Sequence, residues 1–182
     1  MRLSRLLALA LVATTLAAPA RAETKLTRLG TDPAGDSAPA LDVTYLDVGR
    51  SGANLEIRIG VANMIPPGGG YPLLPGIEWI FDVGRNTFIA EGVATTSPEG
   101  SFYLFKKKGD SYEQLESPHG TYNWADGYIM MHVPLKDIGA RSGTLISGVG
   151  KKGTEDVDAH VHVGPNTFYP DTMATTKDYV VP

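Results

Sequence analysis

The sequence predicts an all-β protein: an antiparallel β-sandwich of jelly-roll or immunoglobulin-like type, with about nine to eleven strands and little helix. Three observations carry this expectation. Apolar and polar residues alternate with period two along most of the chain, the signature of half-buried strands. Gly, Asn and Asp punctuate those segments with turn signals. No stretch of about 12 residues or more sustains the 3.6-residue period of an amphipathic helix.

The N-terminus stands apart from this pattern. Arg2 and Arg5 precede an apolar run from Leu6 to Ala18, and Ala20-Arg21-Ala22 is a small-x-small cleavage site. Residues 1–22 therefore read as a secretory signal peptide, too short in its apolar run to span a bilayer, and 23–182 as one β-sandwich domain. The expected location is secreted, periplasmic or at the cell surface, with no membrane span after cleavage.

Along the mature chain, Leu41 to Val48 alternates, with Leu41, Val43 and Tyr45 on one face and Asp42 and Thr44 on the other. After a turn at Gly49–Gly52, Asn54 to Ala62 resumes the alternation, with Leu55, Ile57, Ile59 and Val61 inward; the two segments form a hairpin. Ile65 to Pro72 is rich in Pro and Gly and reads as a long surface loop. Gly76 to Val83 places Ile77, Trp79, Phe81 and Val83 on one face, and Ile80 opposite them marks a central strand. A turn at Gly84-Arg85-Asn86 leads into Thr87–Thr95. Ser101–Lys106 and Ser111–Glu116 flank the turn Lys107–Asp110, and Gly120–Trp124 and Gly127–Val133 flank Ala125-Asp126. Pro134 to Gly139 is the one place where a helical turn is expected. Gly143–Lys151, Asp156–Val163 and Thr176–Val181 complete the strands.

Composition narrows the chemistry. With no cysteine among 182 residues, a disulfide scaffold, a zinc–cysteine or iron–sulfur cluster and a thiol nucleophile are all excluded. Removing the leader and its three arginines leaves 13 basic against 20 acidic side chains, a net charge of −7. Such a domain is a poor partner for nucleic acid, which rewards a basic face, and a better one for calcium or neutral sugars. The chain has no Gly-x-Ser-x-Gly elbow, no His-Glu-x-x-His helix and no phosphate-binding glycine loop, so no enzyme is expected.

Thr31-Asp32-Pro33-Ala34-Gly35-Asp36 followed by Leu41-Asp42-Val43-Thr44, the strand Trp79-Ile80-Phe81-Asp82-Val83, and the turn Val133-Pro134-Leu135-Lys136-Asp137-Ile138-Gly139 together resemble secreted β-sandwiches of the DOMON and family 9 carbohydrate-binding-module type. The resemblance implies a ligand-binding sandwich, not an enzyme; members of that superfamily bind sugars, haem or calcium.

Four constellations could carry chemistry. Asp32, Asp36 and Asp42 supply hard oxygen donors around a glycine turn, the chemistry calcium prefers, although Asp-Pro and Gly-Asp also form turns unaided. Asp156, Asp158, His160 and His162 share one face of a strand. His160 and His162 lie about 7 Å apart there and could converge on zinc or copper with Asp158, or could simply form a polar outer face. Tyr122, Asn123, Trp124 and Asp126 combine two rings with an amide and a carboxylate, a platform for a polysaccharide or cell-surface glycan. Met64, Met130, Met131 and His132 offer axial ligand types for haem, with the adjacent methionines facing opposite sides of their strand. The competing expectation is an exported structural or protein-interaction domain that uses a sheet face or the Ile65–Pro75 loop.

Overall fold

The computed structural model describes residues 24–37, 41–62, 64, 66, 75–95, 99–149, 155–163 and 166–182, without the side chains of 75 and 161–170. The leader and most of the Ile65–Pro75 loop thus lie outside the described residues. The strands are β1 (Thr27–Thr31), β2 (Val43–Ser51), β3 (Asn54–Val61), β4 (Pro75–Val83), β5 (Asn86–Val93), β6 (Ser101–Lys108), β7 (Ser111–Gln114), β8 (His119–Asn123), β9 (Tyr128–Pro134), β10 (Leu145–Gly148), β11 (Val157–Val163), β12 (Asn166–Met173) and β13 (Tyr179–Val180). All pairings between them are antiparallel. One sheet has the order β1-β2-β3-β9-β8; the other runs β12-β11-β4-β5-β6-β7, with β10 also on β4 and β13 on β10. The predicted all-β sandwich is observed.

The core lies where the alternation placed it. Leu55, Ile57 and Ile59 of β3 and Ile129, Met131 and Val133 of β9 face Ile77, Trp79 and Phe81 of β4, all essentially fully buried. Burying each such side chain stabilises the fold by about 1.5–3 kcal/mol. Trp79 stacks on Phe81 with ring centroids 4.5 Å apart, and Phe81 on Phe88 at 5.7 Å. Met131 is core filler, while Met130 faces away from the core beside Arg58.

The strand β4 is central, as expected, but its second edge is shared. β11 pairs with Pro75–Trp79 and β10 with Phe81–Val83, and the Ile80 amide between them donates to Asp156 O at 2.7 Å. Asp156 is completely buried at this junction and fully used: Thr175 donates its amide and its hydroxyl, each at 2.6 Å, and the Trp79 indole donates at 3.4 Å. Three donors satisfy the oxygens of this buried carboxyl without a cation.

Several expectations are corrected. Tyr45 does not face the core with Val43. The β2–β3 register shifts between Val43 and Tyr45, a bulge at Thr44 that turns Leu46 and Val48 inward and leaves Tyr45 under the Arg28 guanidinium, 4.0 Å from its ring centroid. Two strands, β1 and β12, stand where no strand was expected, raising the total among the described residues to 13. Pro170 lies within β12, where the β11–β12 register shifts by one residue, so the proline is accommodated at an irregularity. Pro134–Ala140 forms consecutive turns, closed by Asp137 N to Pro134 O at 3.0 Å and Ala140 N to Leu135 O at 2.8 Å, not a helix.

Candidate functional site

The first site forms where the chain leaves β1. The Asp32 amide still donates to Thr44 O at 2.9 Å, so the turn begins only after Asp32. Gly35 has φ of 107°, a conformation that L side chains rarely adopt, and its amide donates to Asp42 Oδ2 at 2.7 Å. Asp42 is fixed in turn by its own carbonyl, which accepts the Ala62 amide at 2.8 Å. The opposite sheet adds Asp171 from β12. Its Oδ2 accepts the Val43 amide and its Oδ1 the Thr172 amide at 2.9 Å.

Carboxylate oxygens of Asp32, Asp36 and Asp171 all lie within 4.8 Å of one another. Burial and the neighbouring charges of Asp36, Asp42 and Glu155 raise the Asp32 carboxyl above its ordinary value. Burial also raises Asp171; its two amide donors oppose the shift, and Asp36 and Asp32 add to it. Among the described residues no lysine or arginine pairs with this cluster. Asp42 is 2% exposed, and its Oδ1 has no hydrogen-bond partner; neither does the buried Oδ2 of Asp32. Leaving such oxygens unmatched costs on the order of 1–3 kcal/mol each, more for charged groups. A hard divalent cation is the group that this oxygen set fits. The sequence pointed to Asp32, Asp36 and Asp42 and missed Asp171, because the segment around Pro170 carried no strand signal.

The second cluster lies on the outer face of the other sheet. His160 and Asp158 share one face of β11, as the alternation required, but that face is not exposed: His160 is 4% exposed and Asp158 is buried too. Asp158 pairs across β4 with Glu78, which pairs across β5 with Glu91. The His160 ring rests on Gly76, with Nδ1 3.0 Å from Asp158 Oδ1 and Nε2 3.0 Å from Glu91 Oε1. Burial alone would lower the imidazole pKa, but the bonds to Asp158 and Glu91 and the charges of Glu78 and Asp158 outweigh it and raise it to about 10. Burial, reinforced by the charge of Asp158, raises Glu78 to about 8, with His160 opposing.

Neither Glu78 nor Glu91 was anticipated. The signal was the turn length: a two-residue turn at Gly84-Arg85 pairs Val83 with Asn86, and counting back pairs Glu78 with Glu91. The three-residue turn read from the sequence hides that register. The side chain of His162, the expected second imidazole, lies outside the described residues. Asp156 shares no part of this cluster, being engaged in the core.

The aromatic platform is rearranged. Tyr122 is 8% exposed, tilted against Phe102 at 5.5 Å and stacked on Trp124 at 4.8 Å, with its hydroxyl buried and unpartnered. It is a core ring, not an open platform, which leaves partly buried Trp124 as the outer ring of the pair. Asn123 and Asp126 satisfy each other across the β8–β9 turn: Asn123 Nδ2 donates to Asp126 Oδ2 at 2.8 Å, and the Asp126 amide donates to Asn123 Oδ1 at 3.0 Å. They hold the turn in which Trp124 sits.

Compared with known proteins, the chain matches no family model, no curated protein and no solved structure.

Proposed function

We propose that the chain is an exported, non-catalytic binding module whose sandwich is braced by a calcium ion at Asp32, Asp36, Asp42 and Asp171, with carbohydrate as its ligand class. The observation that carries the calcium reading is the convergence of the Asp32, Asp36 and Asp171 carboxylates within 4.8 Å of one another, one of them with a buried, unpartnered oxygen, beside a fourth carboxylate, Asp42, whose charge acts on Asp32. All four are hard donors, and the glycine turn between Asp32 and Asp36 is held by one of them. The carbohydrate reading rests on the resemblance to carbohydrate-binding sandwiches and on Trp124, a ring at a hairpin tip backed by Tyr122.

Two measurements test the two halves separately. A thermal melt in calcium against one in chelator should show a higher midpoint with the ion; identical midpoints at millimolar calcium would return the Asp32–Asp42 loop to a plain turn. Retention on insoluble polysaccharides should fall in Trp124→Ala. Equal retention of the two proteins, or none by either, would favour a protein-interaction domain.

A further inference from the structure

Going beyond the calcium reading, we propose that Glu78, Glu91 and His160 form a second metal site, selective for a transition ion of the zinc type, in which Asp158 orients the imidazole. The geometry is that of a metal-binding histidine with its supporting carboxylate. Asp158 Oδ1 holds Nδ1 at 3.0 Å, which fixes the ring and directs Nε2 toward Glu91 Oε1, also at 3.0 Å. Glu78 stands between Asp158 and Glu91 in the sheet register, and the donor atoms of Glu78, Asp158 and His160 lie within 4.8 Å of one another. One imidazole with two carboxylates is a donor set of zinc-like ions, whereas calcium takes oxygen ligands in larger number.

Three features set this cluster apart from an ordinary polar patch. It is built on three adjacent strands, β11, β4 and β5, rather than on a mobile loop, so its donors are held by the sheet ladder. It gathers three carboxylates around one imidazole: Glu91 and Asp158 pair with His160 directly, and Glu78 stands beside them. Gly76 keeps the space open: a Cβ there would lie 2.3 Å from His160 Nε2 and 2.9 Å from Glu91 Oε1, in the position the ring and its partner occupy. The cost of burying this excess of carboxylate is offset when a divalent cation joins it.

The test uses the full mature chain, stripped of metal and titrated with cobalt(II) as a spectroscopic stand-in for zinc. Wild-type protein should bind one equivalent with visible d–d bands of a low-coordinate site, and zinc should displace it. X-ray absorption at the zinc edge should show a single imidazole. Glu91→Gln and Glu78→Gln, checked for folding by circular dichroism, should weaken zinc binding at least tenfold, and Asp158→Asn should do so by 10- to 100-fold, as expected for a carboxylate that supports a histidine ligand. Asp36→Asn should lose the calcium response and keep the zinc affinity, so failure of one site is distinguishable from failure of the other. Absence of cobalt bands in the wild type, or undiminished zinc affinity in both glutamine variants, would overturn the proposal and leave a structural hydrogen-bond network.

Discussion

The imidazole of His160 occupies the space that a side chain at Gly76 would fill. Gly76 cannot gain a side chain without moving the ring, which is itself held between the carboxylates of Glu91 and Asp158. Gly76→Ala should therefore displace the ring, break its bond to Glu91, and cost about 1–3 kcal/mol as an overpacked substitution. Urea denaturation measures this directly; a midpoint equal to that of the wild type would mean that the ring yields freely.

The same cluster gives the metal-free protein a pH dependence. His160 titrates higher in the fold, near 10, than the ordinary 6.5, so its charged form favours the fold; that stabilisation is complete below about pH 6.5 and is lost as the pH rises through about 10. Glu78 is raised from 4.5 to about 8, so the buried site favours its protonated form, and that preference is lost as the pH climbs between those values. Both contributions have one sign. In chelator, the urea midpoint should be lower at pH 9 than at pH 6, and a flat or rising profile would contradict the charged imidazole.

Calcium binding should raise stability by mass action. At free calcium about 100 times Kd the gain is about 2.7 kcal/mol, a rise in Tm of roughly 5 to 10 °C for a domain of this size. Asp36→Asn should abolish most of that rise. Without calcium it should leave Tm unchanged or slightly higher, because Asp36 is exposed and its charge crowds Asp32 and Asp171. A variant that keeps the full calcium shift would place the ion elsewhere.

Asp156 and Tyr122 should respond in opposite directions. Asp156→Asn replaces an oxygen that accepts from Thr175 with an amide group that donates, and should cost at least about 1.5–3 kcal/mol. Tyr122→Phe removes a buried hydroxyl that has no partner and should be neutral or stabilising by up to about 1 kcal/mol. Chemical denaturation of the two variants checks both signs.

How much of this was legible beforehand depended on what alternation can encode. β3 and β4 were readable residue by residue because Leu55–Val61 and Ile77–Val83 keep an unbroken period of two. The face of Tyr45 was not, because the bulge at Thr44 inserts a residue that no composition rule announces. β12 was hidden by Pro170, which ordinarily argues against a strand. The acidic loop was legible as a local run, whereas Asp171, Glu78 and Glu91 join their clusters only through strand pairing, which depends on register and on which strands become neighbours. Tyr122 and Trp124 were recognised as a pair, but their order from core to surface depends on the packing of Phe102 beneath them.

Asp171 belongs to one sheet and takes the backbone amide of Val43 from the other, across 128 residues of chain. A contact of that separation should form late in folding, because loop closure must be met before such distant groups benefit from meeting. The bond acts as a latch that engages once both sheets exist. Its strength governs how long the sandwich stays shut more than how fast it assembles, so loss of the Asp171 carboxylate should accelerate unfolding while leaving the folding rate nearly untouched.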